Sequence, residues 1–173
     1  ADQDELAQMS HSRAVSAQNQ GRFDSQIIPI EVPQRKGEAI KVTVDEHPRD
    51  GTTVESLSTL PTVFKKDGTV TAGNSAGIND AAAAVVVMSA ERAIAEGITP
   101  KLRWVARAAA VVDPAYMWIG PVPATSKVLK KTGMSIGDID VIELNEAFAA
   151  QALYVIRELG MDIERTNVNG SGI

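Results

Sequence analysis

From residue 102 onward, apolar and amphipathic segments take turns, and single glycines close the helical ones. Residues 102–112 read as a strand and 124–131 as a helix ended by Gly133. Residues 140–144 read as a strand, 145–159 as a helix ended by Gly160, and 166–168 as the opening of a further strand. No other pattern in the chain narrows the fold as much. Helices that alternate with buried strands must cover a sheet, which is the signature of an α/β layered fold. In the long helix, Phe148, Ala152, Val155, Ile156 and Leu159 recur at helical spacing and share one face.

Upstream the pattern is looser. Residues 4–20 read as a helix with a sparse stripe of Leu6, Met9, Ala14 and Ala17, started by Asp2 or Asp4 and stopped by Gly21. Residues 27–32 and 39–44 read as two short strands, and 54–57 as a short helix. The composition changes near Val70, the best candidate for a domain boundary. Residues 73–80 form a loop rich in Gly and Asn. The apolar run 81–88 reads as a buried strand because Val85, Val86 and Val87 are β-branched, and 90–96 reads as a helix ended by Gly97.

Composition removes several functions. Aromatic residues make up only 4% of the 173, so the core is built from Ala, Val, Ile and Leu. The net charge is −5 with no basic stripe, which argues against nucleic acid as a partner. There is no cysteine, so disulfides, thiolate metal sites and a thiol nucleophile are absent from the chain. His11 and His47 stand at no metal-ligand spacing, no metal is expected, and both read as surface residues. The run 81–88 is too short to span a bilayer, and residues 1–20 do not read as a signal peptide. Both ends read as cut: the chain starts without Met, inside what looks like a first helical turn, and stops in a glycine-rich turn.

Three segments could carry chemistry. In Glu143-Leu144-Asn145-Glu146-Ala147-Phe148 a strand gives way to a helix, and ligands of α/β folds bind at such strand ends. An Asn amide there can donate to an oxygen that gains charge, or hold a water that does. Asn145 also suits an N-cap, the commoner use of that residue, and Glu146 suits the first turn of a helix. Gly73-Asn74-Ser75-Ala76-Gly77-Ile78-Asn79-Asp80 permits close approach of a ligand but lacks the residues of a phosphate loop. Met117-Trp118 and Gly120-Pro121-Val122-Pro123-Ala124 offer an apolar lining or core packing, then a rigid lead into a helix.

These segments, with Asn167-Val168-Asn169-Gly170, resemble in order and spacing four motifs of the thiolase family. They are the Asn-Glu-Ala-Phe motif, the glycine-asparagine loop, the Gly-Pro-x-Pro-Ala turn and the lead-in to the catalytic histidine loop. The resemblance runs over nearly the whole chain. It implies part of a thiolase-like αβαβα layered fold with an inserted α+β lid domain. Residues 1–72 would be the lid, 73–97 the end of the first half and 98–173 the start of the second. It implies an enzyme of fatty acid metabolism that condenses acyl-CoA units or cleaves 3-oxoacyl-CoA by thiolysis, with coenzyme A as acyl carrier. Asn145 would be the catalytic oxyanion-hole residue. Arg49, Ser56, Phe64, Ala72 and Ala76 would lie along coenzyme A, and Met117, Ala147 and Phe148 near the acyl end. The family's nucleophilic cysteine, activating histidine and second cysteine fall outside the 173 residues, so the chain alone is expected to be inactive. Partners would be acyl-CoA, the remaining thiolase halves and further copies in a dimer or tetramer. The compartment would be the cytoplasm, with mitochondrion and peroxisome as other hosts of the family. Ala76 stands where many members have Ser, and Ala81 where many have Gly. The alternatives are a non-catalytic acyl-CoA- or lipid-binding relative, or a structural assembly piece.

Overall fold

The computed structural model describes residues 2–173; Ala1, expected in the first helical turn, lies outside them. Helix α1 spans Asp2–Asn19, with Asp2, Asp4 and Glu5 at its positive dipole end. Gly21 closes it at φ +67°, a left-handed position where a side chain is strained, and the Arg22 N–H returns to Ala17 O. The strands β1 (Ile30–Val32) and β2 (Ile40–Val42) pair antiparallel, with Ile30 opposite Val42. Helix α2 (Val54–Ser58) starts at a capping box between Thr53 and Ser56 and buries Leu57. A 3-10 turn, Ala72–Asn74, follows. Asn74 lies buried there, accepting the Thr71 N–H and donating to Asp4 Oδ1 at 3.0 Å.

The second part holds α3 (Ala90–Ala95), a 3-10 segment Pro114–Ile119, α4 (Pro121–Thr132), a 3-10 turn Ile136–Asp138 and α5 (Ala149–Leu159). Pro121 occupies the first turn of α4, where its missing N–H costs nothing. Gly133 and Gly160 end α4 and α5 in the left-handed conformation, as their places in the sequence predict. Helix α1 packs on α5. Ala7, Ala149 and Ala152 are fully buried, and such small residues let the two backbones approach. Leu6, Leu57, Leu144, Val155, Ile156, Met161 and Ile173 complete the core.

Several expected elements differ. Residues 81–88 and 102–112 form no strand; they run without regular structure, largely exposed. No strand pairs with them among the described residues, and an extended segment without a partner cannot form a ladder. Residues 140–144 and 166–168 meet in one parallel bridge between Ile142 and Thr166. Helix α5 begins at Ala149, not at Asn145, because the preceding residues are held extended. Phe148, at φ −146° and ψ 142°, bridges to Ser75, and the Ala147 carbonyl accepts the Ala76 N–H at 3.0 Å.

Candidate active site

That pairing brings two of the sequence candidates together. The glycine-asparagine loop lies alongside the 145–148 segment, so Ala76, Ala147 and Phe148 are neighbours. Asn145 is exposed and outside the helix, which rules out the N-cap reading; Phe148 holds that position, with no side-chain cap. The C-terminal turn closes the group. A Cβ built at Gly172 would sit 3.3 Å from Asn145 Oδ1, 3.3 Å from Glu146 O and 3.6 Å from Ala76 Cβ. Asn145 therefore stands at a small, open junction of three segments, its amide free of any cap.

Glu146 is not a first-turn acid. It is 2% exposed, with Oε2 accepting from Ser10 Oγ at 2.6 Å and Oε1 from Asn167 Nδ2 at 2.8 Å. Asn167, at φ 51°, is the non-glycine residue with positive φ among those described. It pays for this strain with hydrogen bonds: Oδ1 accepts the Leu144 N–H at 2.7 Å and Nδ2 donates to Leu144 O at 2.8 Å. Ser10 also accepts the Ser171 N–H. A buried network thus fixes the backbone on both sides of Asn145. The Glu143 carboxyl is pushed above its ordinary range by partial burial and then by the Glu146 charge.

An aromatic wall stands beside this junction. Phe148 meets Trp118 edge-on at 5.1 Å and Phe64 edge-on at 5.8 Å between ring centroids. Phe64 and Met117 stay largely exposed, so the wall has an open face. Ala72 lies exposed in the 3-10 turn before the loop. Ser56 is further off in function: its hydroxyl is engaged in the α2 capping box, donating to Thr53 O and accepting the Thr53 N–H. The Ser75 hydroxyl donates to Thr71 O at 2.7 Å, so it does not substitute for a Ser at position 76.

The histidines are not surface residues. His11 is buried and accepts the Arg49 N–H at Nδ1, and His47 is half-buried against it. Burial, then the neighbouring His47 and Arg49 charges, hold His11 below its ordinary pKa. Its place on α1, four residues after Ala7 and three before Ala14, is the signal that marks it as inward-facing. An open cleft of about 730 Å³ between α1, α2 and α5, lined by residues such as Gln3, Leu57, Thr69 and Tyr154, includes none of the candidate residues. Among the described residues no cluster of His, Asp and Glu is placed to hold a metal.

Residues 1–91 match the family described as "Thiolase, N-terminal domain", and residues 98–173 match "Thiolase, C-terminal domain". The chain belongs to the thiolase family. The acetyl-CoA acetyltransferase of Pseudomonas aeruginosa is 54% identical over 172 residues, 99% of this chain and 44% of that protein. The crystal structure of the Bacillus anthracis acetyl-CoA acetyltransferase superposes at a TM-score of 0.96, with 48% identity, over 99% of this chain and 43% of that one. Human mitochondrial 3-ketoacyl-CoA thiolase in complex with CoA superposes at 0.91, with 46% identity, over 98% of this chain and 42% of that one. The fold is therefore a partial thiolase-like α/β fold. The chain spans less than half the length of these thiolase relatives.

Proposed function

We propose that this chain supplies the coenzyme-binding lid and one oxyanion-hole residue of a thiolase-type acyltransferase acting on acyl-CoA. Residues 1–72 act as the lid, 73–97 complete one thiolase half and 98–173 open the other. The observation that carries this reading is the junction itself. Asn145, uncapped and exposed, sits where the Ala76–Ala147 contact and the bare Gly172 meet. There the Asn145 side chain holds a water that donates to the thioester oxygen as that oxygen gains charge. Phe64, Phe148 and Met117 cover the pantetheine and acyl end. Ala72, Ala76 and Ala147 keep the path narrow, with Ser56 near the lid helix and Arg49 at the nucleotide end, where a guanidinium suits phosphate. The similarity to a thiolase solved with CoA supports the same ligand here.

The chemistry needs a nucleophile that the chain lacks, since it has no cysteine. The family's thiolate attacks the thioester carbonyl, forms the acyl–sulfur bond and breaks the bond to the coenzyme sulfur, which leaves as a thiol once it takes the proton that the activating histidine removed from the cysteine. The thiolase segments that provide that cysteine also pair with the extended segments 81–88 and 102–112, and the assembly is a dimer or tetramer in the cytoplasm. Asn145→Ala in the complete enzyme should cost about 2.7–4 kcal/mol of barrier, a hundredfold or more in kcat. A loss under about threefold would sink the oxyanion role. The outcome that would replace this reading is a non-catalytic acyl-CoA binder. Tight coenzyme binding with no turnover when all thiolase segments are present would select it.

A further inference from the structure

The segment that carries Arg49 lies as a strap along α1, tied at two points. Gln18 Nε2 donates to Asp45 O at 2.8 Å, and the Arg49 N–H donates to His11 Nδ1 at 3.2 Å. Gln18 and His11 are two helical turns apart and therefore on one face. Between the ties the strap is stiffened internally. The His47 N–H donates to Asp45 Oδ1 at 3.0 Å, Pro48 precedes Arg49, and Thr52 Oγ1 donates to Arg49 O at 3.0 Å. The His47 ring lies 6.0 Å from the His11 ring and covers Gly77, where a Cβ would stand 2.5 Å from His47 Cε1. The strap is thus locked both to α1 and to the loop that carries Ala76.

We propose that neutral His11 is a positioning residue: by accepting the Arg49 N–H it fixes the strap and aims the Arg49 guanidinium at the nucleotide phosphates of a coenzyme A-type ligand. The inference rests on the lid reading above. Nδ1 accepts only while unprotonated. Protonation removes the acceptor and sets a cation beside His47 and Arg49, whose charges bear on the ring; the strap's acids are exposed, with Asp45 accepting the His47 N–H, Asp50 accepting the Gly51 N–H and Glu46 facing solvent. The 73–79 loop brings no charge, and on α1 the nearest charged neighbour, Arg13, is engaged by Ile163 O, Thr166 O and Glu164. Acid therefore releases the strap.

The test compares wild type, His11→Asn and His11→Leu. Asn keeps an acceptor near the Nδ1 position without titrating; Leu removes it. Coenzyme A affinity is measured by calorimetry at about pH 8 and about pH 4.5, with the Arg49 amide resonance followed by NMR across the same range, which extends below an ordinary histidine titration because His11 is held below its ordinary value. Comparison between variants at each pH cancels the titration of the ligand's own phosphates. At about pH 8, His11→Leu should bind about tenfold more weakly, the loss of one part-buried hydrogen bond, and His11→Asn within about twofold of wild type. On acidification the wild type should lose about fivefold more affinity than His11→Asn, and its Arg49 amide should move with the imidazole. Equal pH responses in wild type and His11→Asn, with an indifferent Arg49 amide, overturn the proposal, and this arm decides even if His11→Leu fails to fold. If the wild type binds no coenzyme at about pH 8 while the amide tracks the imidazole, the lid reading fails and the anchor stands.

Discussion

A methyl group at Gly172 would meet Asn145 Oδ1 and the Glu146 carbonyl at 3.3 Å each, closer than most real contacts. Its φ lies outside the left-handed region, so Gly172→Ala acts by pushing on Asn145 and on the Glu146 carbonyl next to it. In the complete enzyme it should lower kcat by about tenfold, because a shift well under 1 Å in a reacting group is costly. The urea midpoint should move by less than about 1 kcal/mol in stability. Equal losses of kcat and stability would mean that the turn matters for folding alone. Glu146 is the opposite kind of residue, buried and silent in the chemistry. Glu146→Ala leaves the Ser10 O–H and one Asn167 amide N–H without their acceptor, and should destabilise by about 2–3 kcal/mol in urea unfolding. Glu146→Gln still offers an acceptor and should lose less than half of that. The motif nominates Asn145 as a site residue, and that assignment is our proposal; the buried, structural place of Glu146 was not legible. Its partners, Ser10 and Asn167, are far away in sequence, and no local pattern announces such a contact.

Among the elements, helices read well and strands poorly, for a physical reason. A helix carries its signals locally: the Thr53–Ser56 capping box, Ser89 ahead of α3, Pro121 opening α4, and Gly133 and Gly160 at the stops. Each of these helices lies where the sequence reading puts it to within four residues, although the caps at Thr53 and Ser89 were not read. A strand depends on whatever lies beside it. The hairpin of β1 and β2 forms because both strands are close in sequence. The valine-rich run 81–88 and the segment 102–112 have the composition of strands but no neighbour among the described residues. The four-residue error at the start of α5 has the same origin. The Ser75–Phe148 bridge competes for backbone groups that the helix would otherwise use. His11 was misread because its face of α1 is made of small and polar residues, Ala7, Ser10 and Ala14, which do not look like a core stripe.

At the scale of the whole molecule, the order of packing differs from the order of the chain. Helix α1 packs on α5, Asp2 pairs with Arg157, Arg13 reaches Ile163, Glu164 and Thr166, and Arg22 Nη1 donates to Asn169 Oδ1 at 2.8 Å. Gly170, at φ +79°, presses on α1 so closely that a Cβ would stand 2.6 Å from Ser10 O. The middle, from Ile78 to Val112, takes little part, and most of its large apolar side chains stay exposed. A protease should therefore cut first in 79–88 or 99–112, on either side of α3, where the chain is without regular structure and largely exposed. The two pieces should still elute together in native gel filtration and separate only in denaturant; prompt separation would show that the contacts between α1 and α5 do not hold on their own. The clasp between the first and last segments makes the connecting peptide a tether: it sets the local concentration of two partners that recognise each other through their own surfaces, so the flanks could be supplied as separate polypeptides and still reassemble.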